Sequence, residues 1–223
     1  MRNKAYLIII AFLIFSIYLT AANYTVNMID RGWYRQVGVH NETNQNTITG
    51  GYNLGSNSFI VFQIPNLSNL DVLSATLRLE IEAINNYGNY QNFDIHDVTT
   101  ATNILTQTHS EGSEGAAIHT DLETGKLYGE FGVYSSQLGS IIEIELTQNA
   151  LNDIKNKANS TFAVGIQMLN YTSSTWLRFS SGSEARVNQL VFSTGEATPP
   201  VPELSSLILL LAGIGIITYS RIK

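Results

Sequence analysis

The chain has 223 residues, of which 13% are charged and 44% hydrophobic, and its formal net charge is −6. This length is sufficient for one ordinary domain with a buried core. The sequence contains no cysteine, which excludes disulfides, thiolate metal sites and a cysteine nucleophile. Its acidic balance argues against nucleic acid as a partner.

The N-terminal 22 residues have the three parts of a secretory signal peptide. Basic residues in Met1–Lys4 precede an apolar run, Ala5–Leu19, and the small residues Ala21 and Ala22 follow it. The apolar run is shorter than the roughly 20 residues that a membrane-spanning helix needs. The sequence therefore predicts export, with removal of residues 1–22 by a signal peptidase, in preference to a retained anchor.

Residues 23–195 read as one domain rich in short strands. Strict apolar–polar alternation over Ala75–Ile84 predicts a half-buried strand, with Leu79 facing inward and Glu80 outward. A helix is predicted from Thr147, its N-cap, to about Ala158, because the apolar residues recur there every three or four positions. Further strands are predicted at Tyr24–Ile29, Phe59–Ile64, Phe93–Val98, Ile142–Leu146, Thr161–Leu169, Trp176–Ser180 and Val187–Ser193.

Many short strands separated by Gly- and Asn-rich turns are typical of all-β proteins. With one short helix, they predict an antiparallel β-sandwich of jelly-roll-like form. After the domain, residues 196–203 form a Pro-rich spacer, and residues 204–223 form an apolar helix with a basic tail.

The C-terminal segment resembles a PEP-CTERM sorting signal. The resemblance rests on Val201, Pro202 and Glu203, the apolar helix and the basic end, although Leu204 stands where the family has a second proline. It implies a bacterial protein that an exosortase-type enzyme processes, with a transient or retained membrane anchor in the C-terminal helix. The expected location is the cell surface or an extracellular exopolysaccharide matrix.

The middle of the chain is similar to a recurring exported sandwich domain of PEP-CTERM proteins. Its Ser-Ala-Thr-Leu-Arg-Leu segment also resembles jelly-roll modules that accompany surface adhesins and carbohydrate-binding proteins. The resemblance implies fold and export and carries over no catalytic residues. The stretches that carry it are 30–34, 59–62, 74–79, 94–99, 143–146 and 162–165.

Motifs for catalysis are sparse in the sequence. The four histidines lack metal-ligand spacing, and no Gly-x-Ser-x-Gly motif is present. Asp94 and His96 share one strand face, where a polar pair at the rim is the favoured interpretation. The pairs Glu80/Glu82 and Glu143/Glu145 also share a face, and a solvated outer surface is favoured there over glycosidase chemistry. No catalytic residue is predicted.

No metal site or cofactor is predicted, but structural calcium stays open. Jelly rolls often hold Ca²⁺ through loop carbonyl groups and carboxylates. The loop-adjacent candidates are Asp30, Asp97 and Asp121, although the sequence has no EF-hand and no dense Asp-x-Asp run.

Aromatic residues near predicted loops are the stronger functional signal. Flat rings stack on sugar faces, and Asn and Gln amides pair with sugar hydroxyl groups. For the two tryptophans, packing in the core or at its rim is the favoured interpretation over ligand binding. The candidate ligand-binding residues are Trp33, Tyr34, Tyr52, Tyr87, Tyr90 and Trp176.

These observations predict an exported, noncatalytic protein with a structural or weakly carbohydrate-binding role. Two alternatives stay open, a polysaccharide hydrolase or lyase and a protein-binding adhesin subunit. Between residues 23 and 202 the chain has eight basic and 17 acidic residues, a net charge of −9. This charge disfavours anionic partners such as nucleic acid, and it leaves a neutral extracellular polysaccharide as the expected ligand.

Overall fold

The computed structural model describes residues 21–52, 55–85, 90–179 and 187–197. Antiparallel β-sheet is the main regular structure of these residues, which also contain three short α-helices, α1 (Thr102–Leu105), α2 (Ser113–Asp121) and α3 (Gln148–Asn156), and one 3₁₀ turn at Ser135–Gln137. The strands are β1 (Ala22–Arg35), β2 (Ile48–Gly50), β3 (Ser56–Gln63), β4 (Leu70–Glu80), β5 (Ala83–Asn85), β6 (Tyr90–Asp97), β7 (Leu127–Tyr134), β8 (Ile141–Glu145), β9 (Thr161–Met168), β10 (Trp176–Arg178) and β11 (Asn188–Glu196).

The long strand β1 belongs to two sections of sheet. Residues 22–27 pair with β11, and the strand pairs with β3 from Met28 onward, with an irregularity between Met28 and Asp30. The first section has the order β1–β11–β4–β8. The second has the order β1–β3–β9–β6–β7, and β2, β10 and β5 extend it beside the end of β3. An irregular pairing bends a strand, which lets β1 pass from one section to the other.

One large core contains side chains from both sections. Leu77 and Leu79 of β4 contribute to it, as do Ile60 and Phe62 of β3. The inward face predicted for the Ala75–Ile84 strand is therefore confirmed at Leu77 and Leu79, while the strand itself ends at Glu80.

Helix α3 covers an end of this core and matches the helix predicted from Thr147. Ala150, Leu151 and Ile154 form its buried face. Thr147 occupies the N-cap position, but its hydroxyl donates to the Leu127 carbonyl oxygen at 2.8 Å and makes no cap hydrogen bond. The residue therefore ties the helix start to β7.

A smaller core lies on the opposite face of β3, and the prediction of a single helix is wrong there. Tyr34, Phe59 and Val61 are covered by Leu105 of α1 and by Ile118 of α2. These two helices are short, and few of their residues are buried. Their sequences therefore lack the repeating apolar face from which a helix is predicted.

Strand β7 was also absent from the prediction. It contains Gly129 and Gly132, which interrupt the alternation of side chains that indicates a strand. Its pairing with β6 over seven residue pairs fixes it in the sheet.

Several predicted features lie outside the described residues. These are residues 1–20 of the signal peptide, Tyr87, the spacer from residue 198, the motif Val201, Pro202 and Glu203, and the apolar segment 204–223. Within the described residues, no helix has the length and apolar character required to cross a membrane.

Candidate functional site

The strongest candidate site is a solvent-facing strip on β6 and β7. Tyr90, Asn92 and Asp94 of β6 lie opposite Tyr134, Gly132 and Glu130 of β7. Their neighbours Phe93, Ile95 and Val133 are buried in the large core. Because side chains alternate along a strand, the three opposed pairs share the outer face. We call these six residues the β6–β7 strip.

Two exposed tyrosines form one end of the β6–β7 strip. The side chains of Tyr90 and Tyr134 are 44% and 52% exposed, and their ring centroids are 4.6 Å apart at 52°. The Tyr90 ring lies directly over Gly132, where a side chain has no room. A Cβ at that position would be 1.9 Å from the tyrosine oxygen. The Tyr134 N–H donates to Gln137 Oε1 at 2.8 Å, which anchors the end of β7.

A concave cavity of about 520 Å³ lies against this strip. Besides strip residues, Phe93, Phe131 and Leu169 contribute to its wall. The Leu169 N–H donates to the Asn92 carbonyl oxygen at 2.8 Å, so the chain after β9 closes one side. The Asn92 side chain is exposed and presents both a donor and an acceptor.

Acidic and amide side chains follow one line across β7, β6 and β9. Asp94 pairs in register with Glu130 of β7 on one side and with Gln167 of β9 on the other. Gln167 Nε2 donates to Glu123 Oε2 at 3.2 Å, and Asn57 Nδ2 donates to the same oxygen at 2.8 Å. Burial raises the pKa of Asp94 against the opposing effect of His96, and the charge of Glu130 adds to the rise.

His96 lies at the other end of the line of outward residues on β6. It is only 9% exposed, and its Nε2 is 3.9 Å from Asp94 Oδ2. Within the described residues, neither ring nitrogen has a hydrogen-bonding partner. On β9, His96 is paired in register with Gly165. The Leu122 backbone lies so close to Gly165 that a Cβ on this glycine would be 2.4 Å from the Leu122 carbonyl oxygen. The chain after α2 therefore closes this end.

Three of the aromatic residues predicted from the sequence meet elsewhere. Tyr52 makes edge contacts with Trp33 at 5.8 Å and with Trp176 at 6.0 Å between ring centroids. Trp33 is buried, and the other two rings are half-buried. The Arg35 guanidinium lies 5.5 Å from the Trp33 ring. Each tryptophan ring therefore contacts Tyr52, and packing is the interpretation that the sequence favours for both.

Tyr34 is fully buried in the smaller core. Its hydroxyl donates to the Leu105 carbonyl oxygen at 2.9 Å, and burial raises its pKa. Its ring also stacks on His40 with a centroid distance of 4.7 Å. Tyr34 therefore has a packing role. Of the predicted aromatic residues that the structure describes, Tyr90 is the one that lines the cavity beside the β6–β7 strip.

Sequence reasoning missed Glu130 and Gly132, and it placed Tyr134 among the aromatic residues near loops but not among the candidate ligand-binding residues. All three belong to β7, the strand whose glycines concealed its pattern. The one available signal was Tyr134 itself, an aromatic residue before a Ser-Ser turn. Its position opposite Tyr90 depends on the strand register.

The paired glutamates lie outside the β6–β7 strip, and three of them make polar contacts within the domain. Glu143 Oε1 is 3.0 Å from Arg78 Nε, and Glu82 Oε1 is 3.2 Å from Arg178 Nη2. Glu80 Oε2 accepts the Val187 N–H at 3.3 Å. These carboxylates are therefore engaged with neighbouring groups of the domain.

The three aspartates considered for calcium make separate hydrogen bonds. Asp30 and Asp97 accept the N–H groups of Arg31 and Lys126, each at 2.7 Å. Asp121 accepts bonds from the backbone and hydroxyl groups of residues 99 and 100. Burial alone would raise the pKa of Asp121, but these hydrogen bonds stabilise the carboxylate and have the larger combined effect, so its pKa is lowered. Among the described residues there is no group of three or more His, Cys, Asp or Glu suited to a metal ion.

Two buried histidines predict a loss of stability in mild acid. Burial lowers the pKa of both His40 and His119, so the unfolded chain takes up protons first as the pH falls. We expect the free energy of unfolding to fall below about pH 6.5, by at most about 1.4 kcal/mol per pH unit and histidine.

Urea unfolding at about pH 7.5 and about pH 5.5 checks this expectation. His119→Gln should flatten the pH dependence, because the substituted side chain does not titrate. Equal stability of the native protein at both pH values would contradict the assignment.

Comparison with protein-family models finds no match to this chain, and comparison with curated proteins finds none either.

Proposed function

We propose that this is an exported, noncatalytic β-sandwich protein of jelly-roll-like form that binds glycan weakly at the β6–β7 strip. The observation that carries the proposal is the exposed pair Tyr90 and Tyr134 beside a concave polar cavity. Its proposed location is the cell surface or an exopolysaccharide matrix. Removal of the N-terminal signal by signal peptidase and processing of the C-terminal segment by an exosortase-type enzyme belong to the same proposal.

The sandwich form is supported by the shared core. Leu77 of β4 and Phe62 of β3 belong to different sheet sections yet pack in one cluster of buried side chains. Two sheets that bury one face each against a common core define this architecture.

The chemistry of the strip suits a sugar chain. A pyranose ring has an apolar face that stacks on an aromatic ring, and its rim carries hydroxyl groups. Tyr90 provides the ring, Asn92 provides an amide, and Asp94 and Glu130 provide acceptors. The strip is open and has few anchors, so it desolvates little ligand surface and we expect weak affinity. Several copies along a polymer would strengthen retention by avidity.

Tyr90→Ala is expected to weaken glycan binding about tenfold or more, because it removes the stacking surface. The measurement is affinity electrophoresis of the exported protein in gels that contain neutral polysaccharides, namely a β-glucan, a xylan and a mannan. Tyr171→Ala is the matched control, since Tyr171 is 39% exposed but does not line this cavity. If both variants lose retention equally, the proposed site is wrong.

A second candidate function is glycoside hydrolysis at the same strip. Asp94 and Glu130 are directly opposed, and burial raises the pKa of Asp94, as a general acid requires. Retaining glycosidases use two carboxyl groups about 5 Å apart, a spacing within reach of a directly opposed pair. Release of reducing sugar by the native protein, abolished in Glu130→Gln, would establish hydrolysis in place of simple binding.

A further inference from the structure

We propose that the β6–β7 strip prefers a glycan with free, protonated amino groups, such as a de-N-acetylated hexosamine polymer. This inference rests on the proposed glycan-binding function and names the ligand class for the same site. The preferred ligand places an ammonium group between the carboxylates of Asp94 and Glu130 and stacks a sugar ring on Tyr90.

The opposed carboxylates are the first observation. Like charges directly opposite each other on neighbouring strands repel, and a cation between them relieves the repulsion. Within the described part of the chain, the ion pairs of lysine and arginine include neither Asp94 nor Glu130. They join Arg78 to Glu143, Lys126 to Asp153, Lys155 to Asp71 and Arg178 to Glu82.

The buried imidazole beside these carboxylates is the second observation. His96 is nine-tenths buried, its Nε2 is directed toward Asp94 at 3.9 Å, and its ring nitrogens lack hydrogen-bonding partners among the described residues. Buried polar groups in folded proteins nearly always have such partners. The gap between His96 and Asp94 is too wide for a direct hydrogen bond, so His96 leaves the hydrogen-bonding positions of the Asp94 carboxylate available to a ligand at the strip.

The aromatic end of the strip is the third observation. The face of a tyrosine ring attracts a nearby cation as well as an apolar sugar face. Tyr90 and Asp94 are four residues apart on β6, a distance of about 13 Å along the strand. The strip therefore has room for more than one sugar unit, with stacking at one end and ammonium recognition at the other.

The experiment compares a glucosamine hexamer with an N-acetylglucosamine hexamer, which share a backbone and differ in charge. Calorimetric titration of the exported protein at about pH 6, where the amines are protonated, should show about tenfold tighter binding of the glucosamine hexamer. The preference should shrink at about 0.5 M NaCl, because salt screens the attraction.

Variants assign the preference to its residues. Glu130→Gln, alone and with Asp94→Asn, should reduce the affinity ratio of the two hexamers toward one. Glu143→Gln is the matched control and should keep the ratio, because Glu143 is an exposed carboxylate on β8, outside the strip. Tyr90→Ala should weaken the binding of both hexamers.

Three other outcomes would contradict the amino-sugar inference, the role of the two carboxylates, or both proposals. Equal affinity for the two hexamers, with both lost in Tyr90→Ala, would overturn the amino-sugar inference and leave the glycan-binding function standing. A preference that survives the double substitution would overturn the role of Asp94 and Glu130. Failure of the native protein to bind either hexamer or any neutral polysaccharide would overturn both proposals.

Discussion

Leu79→Asp is expected to destabilise the domain by several kcal/mol, the largest effect of any single substitution considered. Leu79 has no exposed surface, belongs to the large core, and pairs in register with Ile142 and Asn188. A carboxylate there would be removed from water with no cation to compensate it, and the core would lose a leucine. Urea unfolding, or loss of soluble folded protein, measures the effect.

The same strand provides the control. Leu73→Asp makes the same chemical change where the side chain is 50% exposed, and should cost under about 1 kcal/mol. If Leu79→Asp does not fold, Leu79→Ala provides a measurable value, expected at about 2–5 kcal/mol. Similar costs at positions 73 and 79 would show that the register shift of β4 near Leu73, which leaves that side chain exposed, is assigned incorrectly.

Where local sequence alone determines burial, the prediction from sequence was accurate. In residues 75–80 of β4 and 142–145 of β8 each residue differs from the next in polarity, so one face of the strand must be buried, and Leu77 and Ile144 are buried as expected. The same holds for α3, whose apolar residues recur at helical spacing and whose Leu151 and Ile154 are buried.

The prediction failed where tertiary contacts determine structure. Helix α2 has few buried side chains, and its position depends on backbone contact with a distant turn. Strand β7 contains glycines whose missing side chains make room for other groups, such as the Tyr90 ring over Gly132. Neither feature leaves a repeating pattern in the sequence.

The candidate site was predictable in part. Tyr90 and Asn92 follow a polar Asn-rich segment, and composition alone indicates an accessible turn there. Their partners Tyr134 and Glu130 come from β7, so the site depends on strand register, which sequence spacing does not reveal. By contrast, Trp33 and Trp176, for which packing is the favoured interpretation of the sequence, are packed around Tyr52.

Gly115→Ala is expected to destabilise the domain by about 2 kcal/mol, although alanine normally stabilises the interior of a helix by about 1 kcal/mol over glycine. The reason is the contact between α2 and the turn at Gly38. A Cβ on Gly115 would lie 1.9 Å from the Gly38 carbonyl oxygen and 2.7 Å from its carbonyl carbon. Both atoms are backbone, so the helix must move away and withdraw Ile118 from the smaller core.

Gly112→Ala is the matched control, because a Cβ there would meet its nearest atom, the Ser110 oxygen, only at 4.0 Å. Its stability should change by under about 0.5 kcal/mol. Amide exchange should accelerate across α2 in Gly115→Ala and stay native in Gly112→Ala, since only the first loosens the helix.

The displacement of α2 should also affect glycan binding. The chain after α2 carries Leu122 and Glu123, which lie beside the outward-facing residues His96 and Gln167 of the sheet. A displaced helix should therefore open that end of the β6–β7 strip and weaken glycan binding together with stability. A variant as stable as the native protein would show that α2 does not depend on this close contact.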